Sequence, residues 1–275
     1  MGFAALNPSY GSRACVGWVE RNETYHKRVS MSVVSVEERG PVSIISIDRP
    51  EKLNAINKQV AIDLQQAFAA FDRSAQRVAI LTGAGGRAFS AGADVTDLPE
   101  LWRCVPTVGI ATDKPIIAAV SGWCIGGGLV MAMMCDLLVA TEDAKFSYPE
   151  GKVGITGGMI AGLAARIPHK IAMEMMLVGE PMGAERAYQA GLVNKVVANG
   201  KEIEEALAFA HRIVDLAPLA LATMKRFVNE HILPKGPAEL AARFGAELAA
   251  VCNSADAAEG VRAFKEKRKP RYQGR

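Results

Sequence analysis

The chain has few residues in the patterns that hold metals or disulfides. Its five cysteines, Cys15, Cys104, Cys124, Cys135 and Cys252, include no CxxC pair and leave one over. That excludes a disulfide framework and a zinc cluster and fits a reducing cytoplasm. The four histidines, His26, His169, His211 and His231, are scattered with no HExxH spacing, so no metal is expected. Charge of one sign is also scarce: 32 basic residues face 29 acidic ones, a formal charge of +3 in 275 residues. No strong field for nucleic acid or membrane follows. The absence of interleaved aromatic and basic clusters points the same way. One stretch, Ile116 to Cys135, contains no charge and has the length of a membrane span. Three glycines, Gly126 to Gly128, interrupt it, with Pro115 before and Asp136 after, which fits a buried strand, a turn and a core helix better. Residues 1–30 lack the continuous apolar core of a secretory signal and are expected as a loosely ordered extension.

Half of the residues are hydrophobic, enough for a substantial core. The segment SVVSVEERGPVSIISIDRP alternates apolar and polar positions around ERGP and predicts a hairpin ended by Pro50. Val60, Leu64, Phe68 and Phe71 then recur at helical spacing, with Asn57 as N-cap. RVAILTG, KPIIAAVSG, DLLVAT and AKFSYPE read as strands, and Leu129 to Cys135 as an apolar helix. The order strand, strand, helix recurs, which predicts an α/β core wound from a repeated unit over 31–201. Beyond Lys201 the chain turns helical, an appendage over 202–275 that covers its own core or another subunit. The closing KEKRKPRYQGR is read as a solvated tail, with contact to phosphates as the alternative.

Two glycine-bearing turns carry the chemistry, GRAFSAGAD (86–94) and GWCIGGG (122–128), each after a short apolar run. Glycine lets backbone approach a ligand, and main-chain N–H groups at a strand-to-helix turn are fixed donors for developing negative charge. The chemistry indicated is stabilisation of an enolate or a tetrahedral oxyanion. Tight connection between strand and helix is the plainer reading of each turn. GAGGRA (83–88) also fits GxGxxA after a strand, but no helix opens directly after it and no Walker lysine follows, which argues against a nucleotide site.

These residues resemble the crotonase, or enoyl-CoA hydratase/isomerase, superfamily. The resemblance is carried by RPEKLNAIN (49–57), FSAGAD (89–94), KPIIAAVSGWCIGGG (114–128), MAMMCDLLVAT (131–141), FSYPE (146–150) and the closing EGVRAFKEKR, in the family's order. It implies a spiral of ββα units with a C-terminal helical trimerisation region, assembling as trimers or dimers of trimers. It implies an acyl-CoA thioester substrate with no separate cofactor; the near-neutral charge, not the resemblance, argues for no nucleic-acid and no membrane partner. Carried over by position, the N–H groups of Ala93 and Gly127 become the oxyanion-hole donors and Glu150 the acid/base. Leu53, Ala55, Ala91, Asp94 and Val95 would follow the pantetheine and adenine. Gly126, Val130, Pro149 and Gly158 would stand at the acyl end, and Phe264 and Lys267 would reach a neighbouring subunit's ligand. Apolar walls from Val130, Met131 and Trp123 would raise the pKa of Glu150. Tyr148 and Lys152, flanking it, are candidates for polar contacts.

One departure bears on the reaction. Hydratases of the family place a second glutamate two residues after the glycine triplet, where this chain has Val130. Valine moves no proton, so one carboxylate serves alone, an arrangement suited to carrying a proton between two carbons. Hydration or isomerisation of an enoyl-CoA is the first expectation, with decarboxylation or another enolate-forming reaction as a second and RNA binding by a non-enzymatic relative as a third. The segment between Asp94 and Lys114 is also shorter than in typical hydratases, which alters the acyl end.

Overall fold

A computed structural model describes residues 26–275; the expectation for residues 1–25 lies outside them. The first strand, β1 (His26–Ser30), pairs antiparallel with β2 (Val34–Arg39), so residues 26–30 belong to a sheet rather than to an extension. β2 forms the expected hairpin with β3 (Val42–Ile47) about Gly40 and Pro41. Helix α1 (Lys58–Arg73) follows, and the Asn57 side chain accepts from Val60 N at 2.9 Å as the expected cap. Such a cap contributes about 1 kcal/mol.

Three strand pairs build the centre. β4 (Val78–Gly83) leads to β5 (Ala88–Ser90), β6 (Ile116–Val120) to β7 (Trp123–Ile125), and β8 (Leu137–Thr141) to β9 (Lys145–Ser147). Helix α2 (Gly127–Met133) follows β7, and the one-turn helix α3 (Glu150–Val153) follows β9. After α4 (His169–Val178), β10 (Met182–Gly183), α5 (Ala184–Gln189) and β11 (Lys195–Val197) complete the sheets. The larger sheet runs β1-β2-β3-β4-β6-β8-β11, parallel from β3 onward, and the smaller runs β10-β9-β7-β5. Each unit therefore gives its first strand to one sheet and its second to the other.

Apolar residues without alternation make this possible, because the central strands are buried on both faces. Ile45, Leu81, Ala118 and Leu138 face α1 and the smaller sheet. Ile44, Ile80, Ile117 and Val139 face α6 (Glu202–Val214), which covers them with Ala206 and Ala210. The remaining helices, α7 (Pro218–Phe227), α8 (Pro237–Cys252) and α9 (Ala255–Lys265), give the helical C-terminal region. No single helix among the described residues is long and apolar enough to cross a membrane, and Ile116 to Cys135 divides into β6, β7 and α2.

Two local expectations need correction. Helix α2 starts at Gly127 rather than Leu129, since all seven of its residues are buried and packing outweighs the poor helix propensity of glycine. The strand expected through FSYPE stops at Ser147, and Glu150 opens a helical turn. The tail after α9 is exposed throughout, as expected of a solvated run, and it also folds back on that helix. Gln273 N and Gly274 N donate to the Asp256 carboxylate at 2.6 and 2.8 Å, and Arg271 N donates to Glu259 Oε1 at 2.9 Å.

Asn54 anchors the segment leading into α1. It is fully buried with φ 56°, a left-handed conformation that asparagine tolerates better than most residues. Its Oδ1 accepts from Arg49 N at 3.0 Å, while Nδ2 donates to Ala84 O and Ala88 O at 2.9 and 2.7 Å. Asn54→Ala strands these three backbone groups and is expected to cost roughly 3 kcal/mol, read as a lowered denaturation midpoint with unchanged slope. The tail supplies a pH test. The Arg268 guanidinium, with Arg271 N–H and Arg262, holds the Glu259 carboxyl down to about 2. A depressed carboxylate stabilises above its unfolded pKa of about 4.3, and that stabilisation is lost as pH falls through the folded value. Hydrogen exchange of the Arg271 amide, which donates to Glu259, is expected to be slow at pH 5 and to lose its protection near pH 2, beyond the intrinsic pH dependence of exchange.

Candidate active site

The segment 53–56 and the glycine turn after β5 lie side by side as a short parallel ladder. Ala91 N donates to Leu53 O at 2.9 Å, Ile56 N to Gly92 O at 2.8 Å and Asp94 N to Ile56 O at 2.8 Å. Ser90 Oγ, fully buried, donates to Asn54 O at 2.8 Å and accepts from Gly92 N at 3.1 Å. Arg49 reaches across the same ladder to Ala55 O at 2.6 Å and to Asp94 Oδ2 at 3.2 Å. Arg49 and Asp94 are both 14 % exposed, so this ion pair is better shielded than a surface one. Hydrogen bonds from the Thr96 hydroxyl and N–H, with Arg49, hold the Asp94 carboxyl below the usual range.

Alternation along that ladder decides where the Ala93 amide points. Its neighbours on the Ile56 side are engaged, so the N–H of Ala93 faces away from the pairing partner. Among the described residues neither the Ala93 N–H nor the Gly127 N–H has a protein acceptor, although Gly126 N donates to Ser147 O at 2.9 Å beside it. The two free amides are close. A Cβ placed on Gly127 would stand 3.6 Å from Ala93 N, and one placed on Gly92 would stand 3.3 Å from Gly127 N.

Gly126 joins this pair to the acid. Its φ of 54° and ψ of −116° suit glycine alone, and any Cβ there would collide with Glu150 Oε1. The carboxylate of Glu150 therefore rests against the bare main chain one residue before the Gly127 amide. Its Oε2 is buried and has no hydrogen-bond partner among the described residues. Burial raises the Glu150 pKa to about 7, an effect only partly offset by a backbone hydrogen bond. A carboxyl with that value accepts and returns protons near neutrality.

The structure thus brings Ala93, Gly126, Gly127 and Glu150 into one place. Leu53, Ala55 and Ala91 line the adjoining ladder, half-buried, with Val95 71 % exposed beyond it. Val130 is 2 % exposed within the core that also contains Met131. Pro149 is the N-cap residue of α3, next to Glu150. Gly158 meets α8, where a Cβ would stand 2.9 Å from that of Ala238.

Other residues do not gather there. Trp123 lies at the far end of β7, its ring 5.1 Å from the Lys145 ammonium, so it is not a wall for Glu150. Lys152 turns to Glu180 at 3.0 Å, whereas Tyr148 stays near the acid: burial and then the Glu150 charge raise its phenol pKa, and its hydroxyl bonds Thr156 Oγ1 at 2.8 Å. Phe264 is 86 % exposed on α9, and Lys267 follows that helix with φ 51°. Sequence reasoning missed Arg49, Asn54 and Ser90, which hold the Ala93 turn, and Leu101, whose methyl groups would stand 3.0 and 3.1 Å from a Cβ on Gly127. Polar residues inside the quoted motifs were the available signal for the first three; Leu101 had none.

Comparison with known proteins agrees with this arrangement. The model of the enoyl-CoA hydratase/isomerase family matches residues 37–275. Carnitinyl-CoA dehydratase of Salmonella typhi is 37 % identical over 252 residues, covering 86 % of this chain and 96 % of that protein. Among solved structures, a carnitinyl-CoA hydratase from Mycobacterium avium superposes with a TM-score of 0.69 at 36 % identity, covering 90 % of this chain and all of that one. An enoyl-CoA hydratase from Mycobacterium tuberculosis H37Rv gives 0.69 at 37 % identity, over 89 % of this chain and 100 % of the other. Both the motifs and the fold are accounted for: this chain belongs to the enoyl-CoA hydratase/isomerase family, within the crotonase superfamily.

Proposed function

We propose that this protein moves protons on an acyl-CoA thioester through an enolate, with the Ala93 and Gly127 amides holding the thioester oxygen and Glu150 as the sole acid/base. The observation that carries this reading is the convergence of two unengaged N–H groups with a half-buried carboxyl whose pKa is raised to about 7. Two fixed donors aimed at a developing oxyanion lower the barrier by several kcal/mol. The thioester carbonyl acidifies the neighbouring carbon, so the substrate and the protein groups suffice and no further cofactor is invoked.

Double-bond isomerisation suits the single acid. Glu150 takes a proton from C2 of a 3-enoyl thioester, the electron pair spreads over the dienolate, and the same proton returns at C4. Val130 keeps the position of a second carboxylate apolar and buried, which leaves no second acid there to activate water. Hydration or dehydration is the second reading, favoured by the dehydratase and hydratase names of relatives at 36–37 % identity. A single carboxyl serves dehydration by taking the C2 proton and delivering it to the departing hydroxyl.

We further propose self-association as a trimer or dimer of trimers. Leu219, Ile232, Leu248 and Val251 expose apolar surface along the C-terminal helices, and Phe264 and Lys267 are free to meet a neighbour's nucleotide.

Glu150→Gln keeps the shape of the side chain and loses the proton. Turnover is expected to fall by about 10²–10⁴-fold while acyl-CoA binding persists; unchanged turnover rejects Glu150 as the catalyst. In the unsubstituted enzyme kcat/KM is expected to rise with pH through an apparent pKa of about 7, as Glu150 ionises. A carboxyl raised above its unfolded value of about 4.3 stabilises fully below that value, and this is lost as pH rises through 7. The glutamine variant is therefore expected to melt higher than the parent at pH 8 and alike at pH 4. A panel of 2-enoyl-, 3-enoyl-, 3-hydroxyacyl- and malonyl-type CoA esters, with double-bond migration, water exchange and carbon dioxide release followed separately, decides the reaction. Val130→Glu is expected to increase hydration of a short 2-enoyl-CoA at least tenfold, and no gain contradicts the role assigned to the missing acid.

A further inference from the structure

Beside the paired amides stands a hydrophobic side chain that the acid and the donors do not account for. Both methyl groups of Leu101 lie over Gly127, 3.0 and 3.1 Å from where a Cβ would project, and Ala93 N lies on the same side at 3.6 Å. An acyl group whose carbonyl oxygen accepts from both amides must place its first carbons within contact of that isopropyl group. The side chain is also poorly able to withdraw. It opens a 3₁₀ turn, Leu101–Cys104, followed by a loop that closes on itself through Gly109 N to Trp102 O at 2.9 Å and Ile110 N to Val105 O at 3.1 Å. Arg103 Nη1 ties the turn to Gln65 Oε1 on α1 at 2.9 Å, and α8 packs across it. Cys104, Val105 and Ile110 are buried beneath, so a shift of Leu101 would drag a packed loop with it.

We infer that Leu101 is a specificity-determining residue, a fixed wall beside the amide pair that selects acyl groups unbranched at the carbon next to the thioester. The inference rests on the enolate reading above and extends it to substrate class: linear acyl-CoA thioesters are accepted and 2-methyl-branched ones refused. A rigid wall discriminates by one methyl group on the order of 10–200-fold in a hydrophobic pocket.

The test uses enolate formation alone, so that it does not depend on which product the enzyme makes. Purified full-length enzyme is incubated in D₂O with butanoyl-CoA or 2-methylpropanoyl-CoA, and deuterium uptake at C2 is followed by mass spectrometry. The parent is expected to exchange the linear ester at least tenfold faster than the branched one. Leu101→Ala is expected to narrow that ratio about tenfold, chiefly by faster exchange of the branched ester. Leu101→Phe is expected to slow both, and Leu101→Met, of similar volume, to keep the parental ratio. If the alanine variant does not fold, Leu101→Val carries the same expectation at smaller size. A ratio unmoved by alanine or valine, with linear exchange intact, overturns the role of Leu101 and leaves the enolate reading standing. Absence of exchange from both esters in the parent overturns the enolate reading and this inference with it.

Discussion

The contact on which the site depends is the one between Gly126 and the carboxylate of Glu150. Because Gly126 has no side chain, Oε1 lies directly on the main chain. The same residue turns the chain so that the next amide, Gly127 N–H, is left unengaged at the start of α2. A single side-chain atom at position 126 would displace the acid and reorient the amide together. The Glu150 carboxylate and the Gly127 amide are thus tied to one backbone conformation. In the proposed reaction such preorganisation spares reorganisation, which is where fixed dipoles gain over water.

The Ala93 amide is held by different means. Ala93 projects its amide toward Gly127 because its flanking residues are pinned to Leu53 and Ile56, and that ladder depends in turn on buried polar side chains. Asn54, Ser90 and Arg49, which is itself paired with Asp94, satisfy backbone groups that no regular sheet would satisfy there. They are the interior counterpart of the glycines, since glycine permits the close approach and the buried polar groups fix it. The central strands, packed on both faces, give these loops a rigid base.

Much of this architecture was legible in the residues. Uninterrupted apolar runs such as VAILT and IIAAV marked the doubly buried strands, and Asn57 marked the start of α1. The paired glycine turns and Glu150 after Pro149 marked the candidate site, and the same motifs carried the family resemblance. What the chain did not reveal was set by tertiary context. Three glycines promised a late start for α2, yet full burial let it begin at Gly127. The basic tail looked free, yet Asp256 and Glu259 on α9 receive its amides. Trp123 looked like a wall for the acid because it is near in sequence, but its place at the outer end of β7 turns it toward Lys145. Leu101 lies in an irregular segment where no periodicity indicates which way a side chain faces.

Polarisation of a bound thioester tests the central claim most directly. Glu150→Gln binds the ester without turning it over, so the carbonyl can be labelled with carbon-13 and its stretching band followed by isotope-edited infrared difference spectroscopy. If the Ala93 and Gly127 amides both donate to that oxygen, the band of the bound ester moves to lower frequency than in water, and Gly126→Ala on the same background returns it toward the solution value. A bound carbonyl at or above its solution frequency would contradict the account.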